Sequence, residues 1–281
     1  IPAATGTKQF HELIYPSAEI RFLKGRVAFI APNESRNAKA TKKGKLEAYF
    51  FPPVDIPPHN TDFGKVITRL GLRQDASKED FIAALKRFGQ DDSMYELFNV
   101  FEISAYEGWT IRPGGLHAPG PWVTFEIQKQ QDDFNLASWQ LGKRLIGKEL
   151  AEKRNSLQLR GLKNEETFLQ EVVDWELNID PAFEKKWKRP SKVIEQGDWG
   201  RRMQIFFDEF YGEAFEIKPG KSFTKDADKR PFAGIVWSGK GKLNDNTIDV
   251  ADTARKEFFV STHTRLAIEN TGDGTLYLYT V

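Results

Sequence analysis

Cysteine is absent from the chain, and its absence excludes disulfides, thiolate metal sites and cysteine nucleophiles. A charge excess is also missing. The 41 basic side chains stand against 40 acidic ones, and a net charge of +1 gives no global field to attract nucleic acid or an anionic membrane. No apolar run is long enough to cross a bilayer, and no charged-then-apolar leader follows Ile1. We therefore expect a cytoplasmic protein that binds neither nucleic acid nor membranes.

Aromatic residues, by contrast, are abundant. They make up 13% of the 281 residues, and many lie in short runs with β-branched neighbours. Such runs are typical of strands rather than helices. Because domains usually contain about 100–200 residues, a chain of this length is expected to form two. The composition predicts a mainly β protein.

Residues 1–140 are predicted to form a first β domain with a small helical insertion at about 77–98. Within the insertion, Ser77 and Asp80 have the spacing of a capping box, and the apolar residues that follow fall on one helical face. The strand-like runs of this domain are 10–15, 20–23, 26–30, 46–51, 65–72, 99–104, 109–112 and 123–128.

Residues 141–202 are predicted to form a helical connector, because the apolar period changes there from two to about 3.6 residues. Its first stripe consists of Leu141, Leu145, Ile146 and Leu150. Short strand-like runs separated by turns return at 203–281. This last block predicts a small antiparallel barrel or jelly roll.

The most informative segment runs from Gly108 to Gly120, with the sequence GWTIRPGGLHAPG. A strand leads into a tight turn in which Gly114 and Gly115 tolerate positive φ, and His117 follows at the start of the next strand. A histidine held rigidly at a strand edge can offer one ring nitrogen to a divalent ion.

A carboxylate follows nine residues later, at Glu126. Strand alternation places Glu126 on one face with Thr124 and Gln128. By its chemistry, a glutamate that lines a barrel beside a histidine is a metal ligand or a general base. Simpler interpretations stay open: His117 as a hydrogen-bonded member of the glycine turn, and Glu126 as a core glutamate bonded to backbone.

The segment resembles the second motif of the cupin superfamily, in which a glycine, a spacer and a Pro-x-Gly turn precede a histidine. Here Gly108, Gly114 and His117 occupy matching places. The closer resemblance is to phosphomannose isomerases. In that family a glycine-rich turn delivers His-Ala-x-Gly and then Glu-Ile-Gln, which is similar to residues 117–120 and 126–128 here.

This resemblance implies two cupin barrels of the RmlC-like jelly-roll type. The first barrel, residues 1–140, would hold a metal site. The helical connector 141–202 would join it to the second barrel. The final block, 203–281, resembles the metal-free second cupin of such enzymes.

The resemblance also implies a function: metal-dependent aldose–ketose isomerisation of a carbohydrate or sugar phosphate, as in mannose-6-phosphate isomerase. The implied ligands are His117, Glu126 and, from a proline-stiffened loop similar to a degenerate first cupin motif, His59 and Asp62. An alternative first motif is formed by His11 and Glu19. Glu126 would be a ligand or the base that moves a proton through an enediolate. The expected ion is zinc, with manganese, iron or nickel left open.

Substrate contacts are assigned on chemistry alone. Lys65, Arg69 or Arg112 would meet an anionic group, and Trp122 would stack on a sugar ring. Two other functions stay open on the same scaffold: a cupin dioxygenase or lyase that acts on a sugar-derived or other small acid, and a non-catalytic sugar-binding cupin. A homodimer also stays open.

Overall fold

Runs of alternating apolar residues form antiparallel strands in the computed structural model. The structure describes residues 20–22, 44, 46–53, 66–88, 90–91, 93–118, 120, 122–129, 137, 164–252 and 256–281. Packing divides the chain into a central unit, Ala31–Arg189, and a terminal unit formed by Ile1–Ile30 and Pro190–Val281. The protein is mainly β, as the aromatic and β-branched runs predict.

Among the described residues, the central unit contains six strands and four helices. The strands are β2 (Glu47–Phe50), β3 (Ile67–Leu72), β4 (Phe98–Glu102), β5 (Gly108–Ile111), β6 (His117–Ala118) and β7 (Phe125–Gln128). The helices are α1 (Lys78–Lys86), α2 (Glu165–Glu171), α3 (Trp175–Asn178) and α4 (Phe183–Trp187), with a 3₁₀ turn at Ser93–Leu97.

The strands of the central unit form two antiparallel sheets, in the orders β5-β2-β7 and β4-β3-β6. Side chains from both sheets share one apolar cluster, which includes Tyr49 and Trp109 from the first sheet and Leu70 from the second. The inner faces of the two sheets therefore form a common core.

Helix α1 begins as its sequence predicts. Ser77 accepts a hydrogen bond from the backbone N–H of Asp80 over 3.0 Å, and its hydroxyl donates back to the Asp80 carboxylate over 2.6 Å. This pair of bonds satisfies a helix-terminal donor that would otherwise lack a partner. The apolar face of α1 buries Phe81 and Leu85 beside Phe168 of α2.

The terminal unit contains eleven strands among the described residues. They are β1 (Ile20–Phe22), β8 (Lys192–Gly197), β9 (Gly200–Phe206), β10 (Gly212–Ile217), β11 (Ser222–Lys225), β12 (Phe232–Ser238), β13 (Lys240–Leu243), β14 (Asn246–Asp249), β15 (Glu257–Val260), β16 (Leu266–Asn270) and β17 (Leu276–Thr280).

These strands form a seven-stranded sheet, β1-β15-β12-β17-β10-β9-β8, and a four-stranded sheet, β11-β16-β13-β14. Alternate residues of both sheets, among them Phe215, Leu278 and Ile268, are fully buried in one cluster. Fully burying side chains of this size stabilises the fold by about 1.5–3 kcal/mol each. The terminal unit thus has its own core.

Two strands lie outside the domains that the sequence predicts for them. Strand β1 pairs with β15, with Ile20 opposite Val260, and so joins the terminal sheet rather than the sheets of residues 1–140. Strand β8 falls in the predicted helical connector but pairs with β9. Lys192–Gly197 is exposed along its length and carries no apolar face, so its sequence gives no strand signal.

Several other predictions fall outside the described residues. They are the strands at 10–15 and 26–30 and the connector stripe of Leu141, Leu145, Ile146 and Leu150. Among the helices that the structure describes, none combines the length and the apolar character that crossing a membrane requires.

Candidate functional site

The turn before His117 is shaped by one glycine and held by one asparagine. Gly114 has φ +83°, and a Cβ at this position would meet the backbone N of Asp174 at 2.8 Å. Of the two glycines that the sequence marks as tolerating positive φ, only Gly114 adopts it. The fully buried Asn178 of α3 accepts a hydrogen bond from the N–H of Leu116 over 2.7 Å and donates to the carbonyl of Gly114 over 2.8 Å.

Strand register directs His117 toward the core of the central unit. His117 lies opposite Leu70, and neighbours across a ladder point to the same side. Leu70 belongs to the apolar cluster shared by the two sheets. The imidazole packs edge-on against Tyr49 with ring centroids 5.8 Å apart. The ring therefore lies on the inner side, with 29% of its side chain exposed.

A buried carboxylate faces this histidine. Glu47 of β2 is 2% exposed, and its Oε2 lies 3.0 Å from Nε2 of His117. The hydroxyl of Tyr49 donates a second hydrogen bond to the same oxygen over 3.2 Å. Burying a carboxylate is costly unless it is paired, and here the imidazole and the phenol are its partners.

The two ring nitrogens of His117 both face acceptors. Nδ1 lies 2.9 Å from the carbonyl of Gly115, and Nε2 lies opposite the Glu47 carboxylate. Only a doubly protonated ring can donate to both. Burial by itself would lower the pKa of His117, but the hydrogen bond and charge of Glu47, with contributions from the Gly115 carbonyl and Glu126, raise it above its ordinary value.

The same surroundings keep the phenol of Tyr49 protonated. Burial, followed by the negative charges of Glu47 and Glu126 and the hydrogen bond to Glu47, raises its pKa well above the ordinary value. Tyr49 therefore acts as a hydrogen-bond donor toward the carboxylate and not as a phenolate.

Glu126 lies on the same inner face of the sheet but is exposed. It stands opposite Tyr49 in the β2–β7 ladder, and Gln128 stands opposite Glu47. Glu126 acts on His117 through its charge, since it contributes to the raised pKa. Within the described ranges, no three His, Asp or Glu side chains are grouped closely enough to hold a metal ion.

The other predicted site residues are distributed differently. Arg69 pairs with Ala118 on the face opposite to Leu70 and His117, and its guanidinium lies 4.7 Å above the Tyr95 ring. The structure does not bring Arg69 together with His117.

Arg112 and Trp122 are anchored at two other places. The Arg112 guanidinium lies 5.8 Å from the Trp187 ring. Trp122 packs against the cluster that contains Tyr49, and its indole N–H donates to the carbonyl of Pro52 over 2.9 Å. His59, Asp62 and Lys65 lie outside the described residues.

Sequence reasoning missed Glu47, Tyr49 and Asn178. A signal for the first existed: Glu47 is the only acidic residue in the apolar strand-like run Leu46–Phe51, and alternation puts it on one face with Tyr49. Asn178 gives no such signal, because its role depends on the packing of α3 against a distant turn.

Comparison with known proteins supports the fold. No protein-family model matches the chain, and no curated protein matches it. Among solved structures, the mannose 6-phosphate isomerase of Bacillus subtilis matches with a TM-score of 0.55 and 14% identity, covering 85% of this chain and 65% of that one. A candidate mannosephosphate isomerase from Archaeoglobus fulgidus matches with a TM-score of 0.52 and 14% identity, covering 85% of this chain and 61% of that one.

The chain therefore has a cupin-type fold that resembles these isomerases, as the motif around His117 predicts. It spans less than two thirds of the length of either structure.

Proposed function

We propose that the chain is a metal-dependent cupin enzyme that isomerises a carbohydrate between its aldose and ketose forms. The observation that carries the proposal is the pair formed by His117 and Glu47, 3.0 Å apart on the inner side of the central unit. The fold resembles two structures described as mannose phosphate isomerases, which supports a sugar phosphate as the substrate.

The donor set at this pair fits a divalent cation. An imidazole nitrogen and a carboxylate oxygen are ligands that zinc accepts, and manganese, iron and nickel accept them too. The proton between Nε2 and Glu47 occupies the position between these donors, so a divalent cation bound there would displace that proton and add one net positive charge. His59 and Asp62 remain the proposed further ligands, with Glu126 as the alternative.

A bound divalent ion supplies Lewis-acid polarisation of a carbonyl and its neighbouring hydroxyl. The residues of the chain would orient the groups that hold the ion. The Gly115 carbonyl holds Nδ1–H and thereby fixes the ring orientation. Tyr49 orients the Glu47 carboxylate through its hydroxyl.

Glu126 is the proposed base that moves a proton between adjacent carbons. It is exposed on the same inner face, so substrate can reach it, whereas Glu47 is buried and already paired. Trp122 is the proposed sugar-stacking residue, because it packs on the same cluster as Tyr49. Arg112 and Lys65 remain proposed contacts for the anionic group.

The test combines metal binding with turnover. Protein stripped of metal is titrated with zinc, manganese, iron and nickel, and each loaded form is assayed with phosphorylated and free aldoses and ketoses. We expect one metal to restore isomerisation. Glu47→Gln should weaken metal binding by about 10-fold or more, while Glu79→Gln on the exposed face of α1 should leave it unchanged.

Two results would overturn the proposal. One is metal affinity that does not change in Glu47→Gln or His117→Ala. The other is a metal-loaded protein that binds sugars without converting them, which would favour the sugar-binding alternative. Oxygen consumption by the iron form would instead indicate a dioxygenase.

A further inference from the structure

The terminal unit contains a groove far removed in sequence from the His117 turn. Its volume is about 530 Å³, within the range of about 300–1,000 Å³ that is typical of small-molecule sites. The residues that line it are Gln196, Gly197, Gly200, Arg201, Glu216, Lys218, Thr275 and Tyr277.

Four of these side chains form one row across four strands. Gln196 lies opposite Arg201, Arg201 opposite Glu216, and Glu216 opposite Tyr277. Ile217, which follows Glu216 in β10, is buried in the apolar core. Because successive side chains of a strand point to opposite faces, Glu216 and the rest of the row lie on the other face of the sheet. The row is therefore an outer-face feature built by register.

An ion pair fixes the middle of the row. Nε of Arg201 donates to Oε2 of Glu216 over 2.5 Å. Glu216 is only 9% exposed, and its other oxygen, Oε1, is buried without a hydrogen-bond partner. A buried acceptor without a donor costs about 1–3 kcal/mol. A hydroxyl donor in the groove would supply what this carboxylate lacks.

Two glycines line one end of the groove. Gly197 and Gly200 pair directly with each other at the β8–β9 turn. Gly200 has φ +136°, and a Cβ there would meet the carbonyl oxygen of Glu216 at 1.8 Å. Only glycine fits this close approach between β9 and β10, next to the Arg201–Glu216 pair.

We propose that this groove binds a carbohydrate that carries an anionic group. Tyr277 offers an aromatic ring for the apolar side of a sugar, and the paired donors and acceptors of Arg201 and Glu216 suit neighbouring hydroxyls. Lys218 is exposed at the rim and meets the anion. The two cations and one carboxylate of the groove leave a net charge of +1. This site is independent of the function proposed for His117.

Binding is measured by calorimetry on the full chain, with glucuronate, mannose 6-phosphate, uncharged mannose and inorganic phosphate as the probes. His117→Ala serves as the background, so that the central-unit site does not contribute. We expect one of the two anionic sugars to bind at least 10-fold more tightly than mannose or phosphate. Lys218→Ala should weaken binding about 5-fold or more. Tyr277→Thr should abolish it, and threonine preserves the strand because it also favours the β conformation.

Lys242→Ala, an exposed lysine on the other sheet of the terminal unit, is the matched control and should bind as the background does. The proposal fails if Lys218→Ala binds the anionic sugars unchanged. It also fails if phosphate alone binds as tightly as the sugars, since the ring would then contribute nothing.

Discussion

Oε2 of Glu47 lies 3.0 Å from Nε2 of His117, although the two residues belong to different sheets. The β5-β2-β7 sheet supplies the carboxylate and the β4-β3-β6 sheet supplies the imidazole. Their distance therefore reports how the two sheets of the central unit pack, and it makes the pair sensitive to substitutions that shift either sheet.

A double-mutant cycle should reveal strong coupling in this pair. In metal-free protein, Glu47→Gln leaves the protonated imidazole facing a neutral amide, and we expect a loss of about 1–3 kcal/mol in the free energy of unfolding. His117→Gln should cost less when Glu47 is already replaced than in the native chain. Denaturant unfolding of the four proteins measures the difference. Additive losses would show that the two groups do not interact.

Asn178→Ala should loosen the turn that presents His117. The substitution removes the acceptor of the Leu116 N–H and one of the two donors to the Gly114 carbonyl, which keeps the N–H of Asp174, so we expect a loss of about 2–3 kcal/mol in the free energy of unfolding. Asn164→Ala removes only an exposed cap of α2 and should cost about 1 kcal/mol. Equal losses in the two variants would contradict the assigned role of Asn178.

Gly114→Ala and Gly220→Ala form a matched pair. Both glycines have positive φ, but an added Cβ meets backbone at 2.8 Å at Gly114 and nothing within 4 Å at Gly220. We expect Gly220→Ala to lower the free energy of unfolding by about 1–2 kcal/mol, which is the penalty for placing alanine at positive φ. Gly114→Ala should lower it clearly more, because the added Cβ also meets backbone there. Thermal unfolding measures both, and a smaller loss at Gly114 would refute the close approach to Asp174.

Acid should weaken the terminal unit through Glu213, which is 1% exposed. Burial would raise the pKa of this carboxyl, but hydrogen bonds from Arg202 and Tyr211 and the charges of Lys225 and Arg202 outweigh it and hold the pKa below its ordinary value. A depressed folded pKa means that the stabilisation is complete above the ordinary value and is lost as the pH falls through the folded one.

Glu213→Gln tests this pH dependence. Between about pH 5 and pH 2, the free energy of unfolding of the variant should fall less steeply than that of the native chain, because the variant has no carboxylate to protonate there. Glu209→Gln, near the same strand, is the control and should keep the native slope. Parallel slopes for Glu213→Gln and the native chain would rule out the ionised Glu213.

Much of the fold could be predicted from local patterns. The capping pair at Ser77 and Asp80, the strand-like run at 123–128 and the mainly β character all follow from side chains a few residues apart. Strand β8 could not be predicted, since Lys192–Gly197 has no apolar face and its strand conformation depends on pairing with β9.

The candidate site, like the fold, could be predicted only in part. The glycine turn marks His117, and alternation places Glu126 on one face with Gln128, as the ladder shows. Alternation marks Glu47 on one face with Tyr49, but it could not choose between Glu47 and Glu126, because that choice depends on which carboxylate the packed sheets bring against the ring. Exposure further distinguishes the two carboxylates, since Glu47 is buried and Glu126 is not.

The sequence by itself determined the excluded chemistries, the strand-rich composition and the turn that presents an imidazole, because each depends on residue type or on neighbours along the chain. Tertiary structure alone decided that β1 joins the terminal sheet, that Glu47 meets His117, and that Gln196, Arg201, Glu216 and Tyr277 form one row. These are contacts between distant segments, and strand order and register are fixed only when whole faces are buried together.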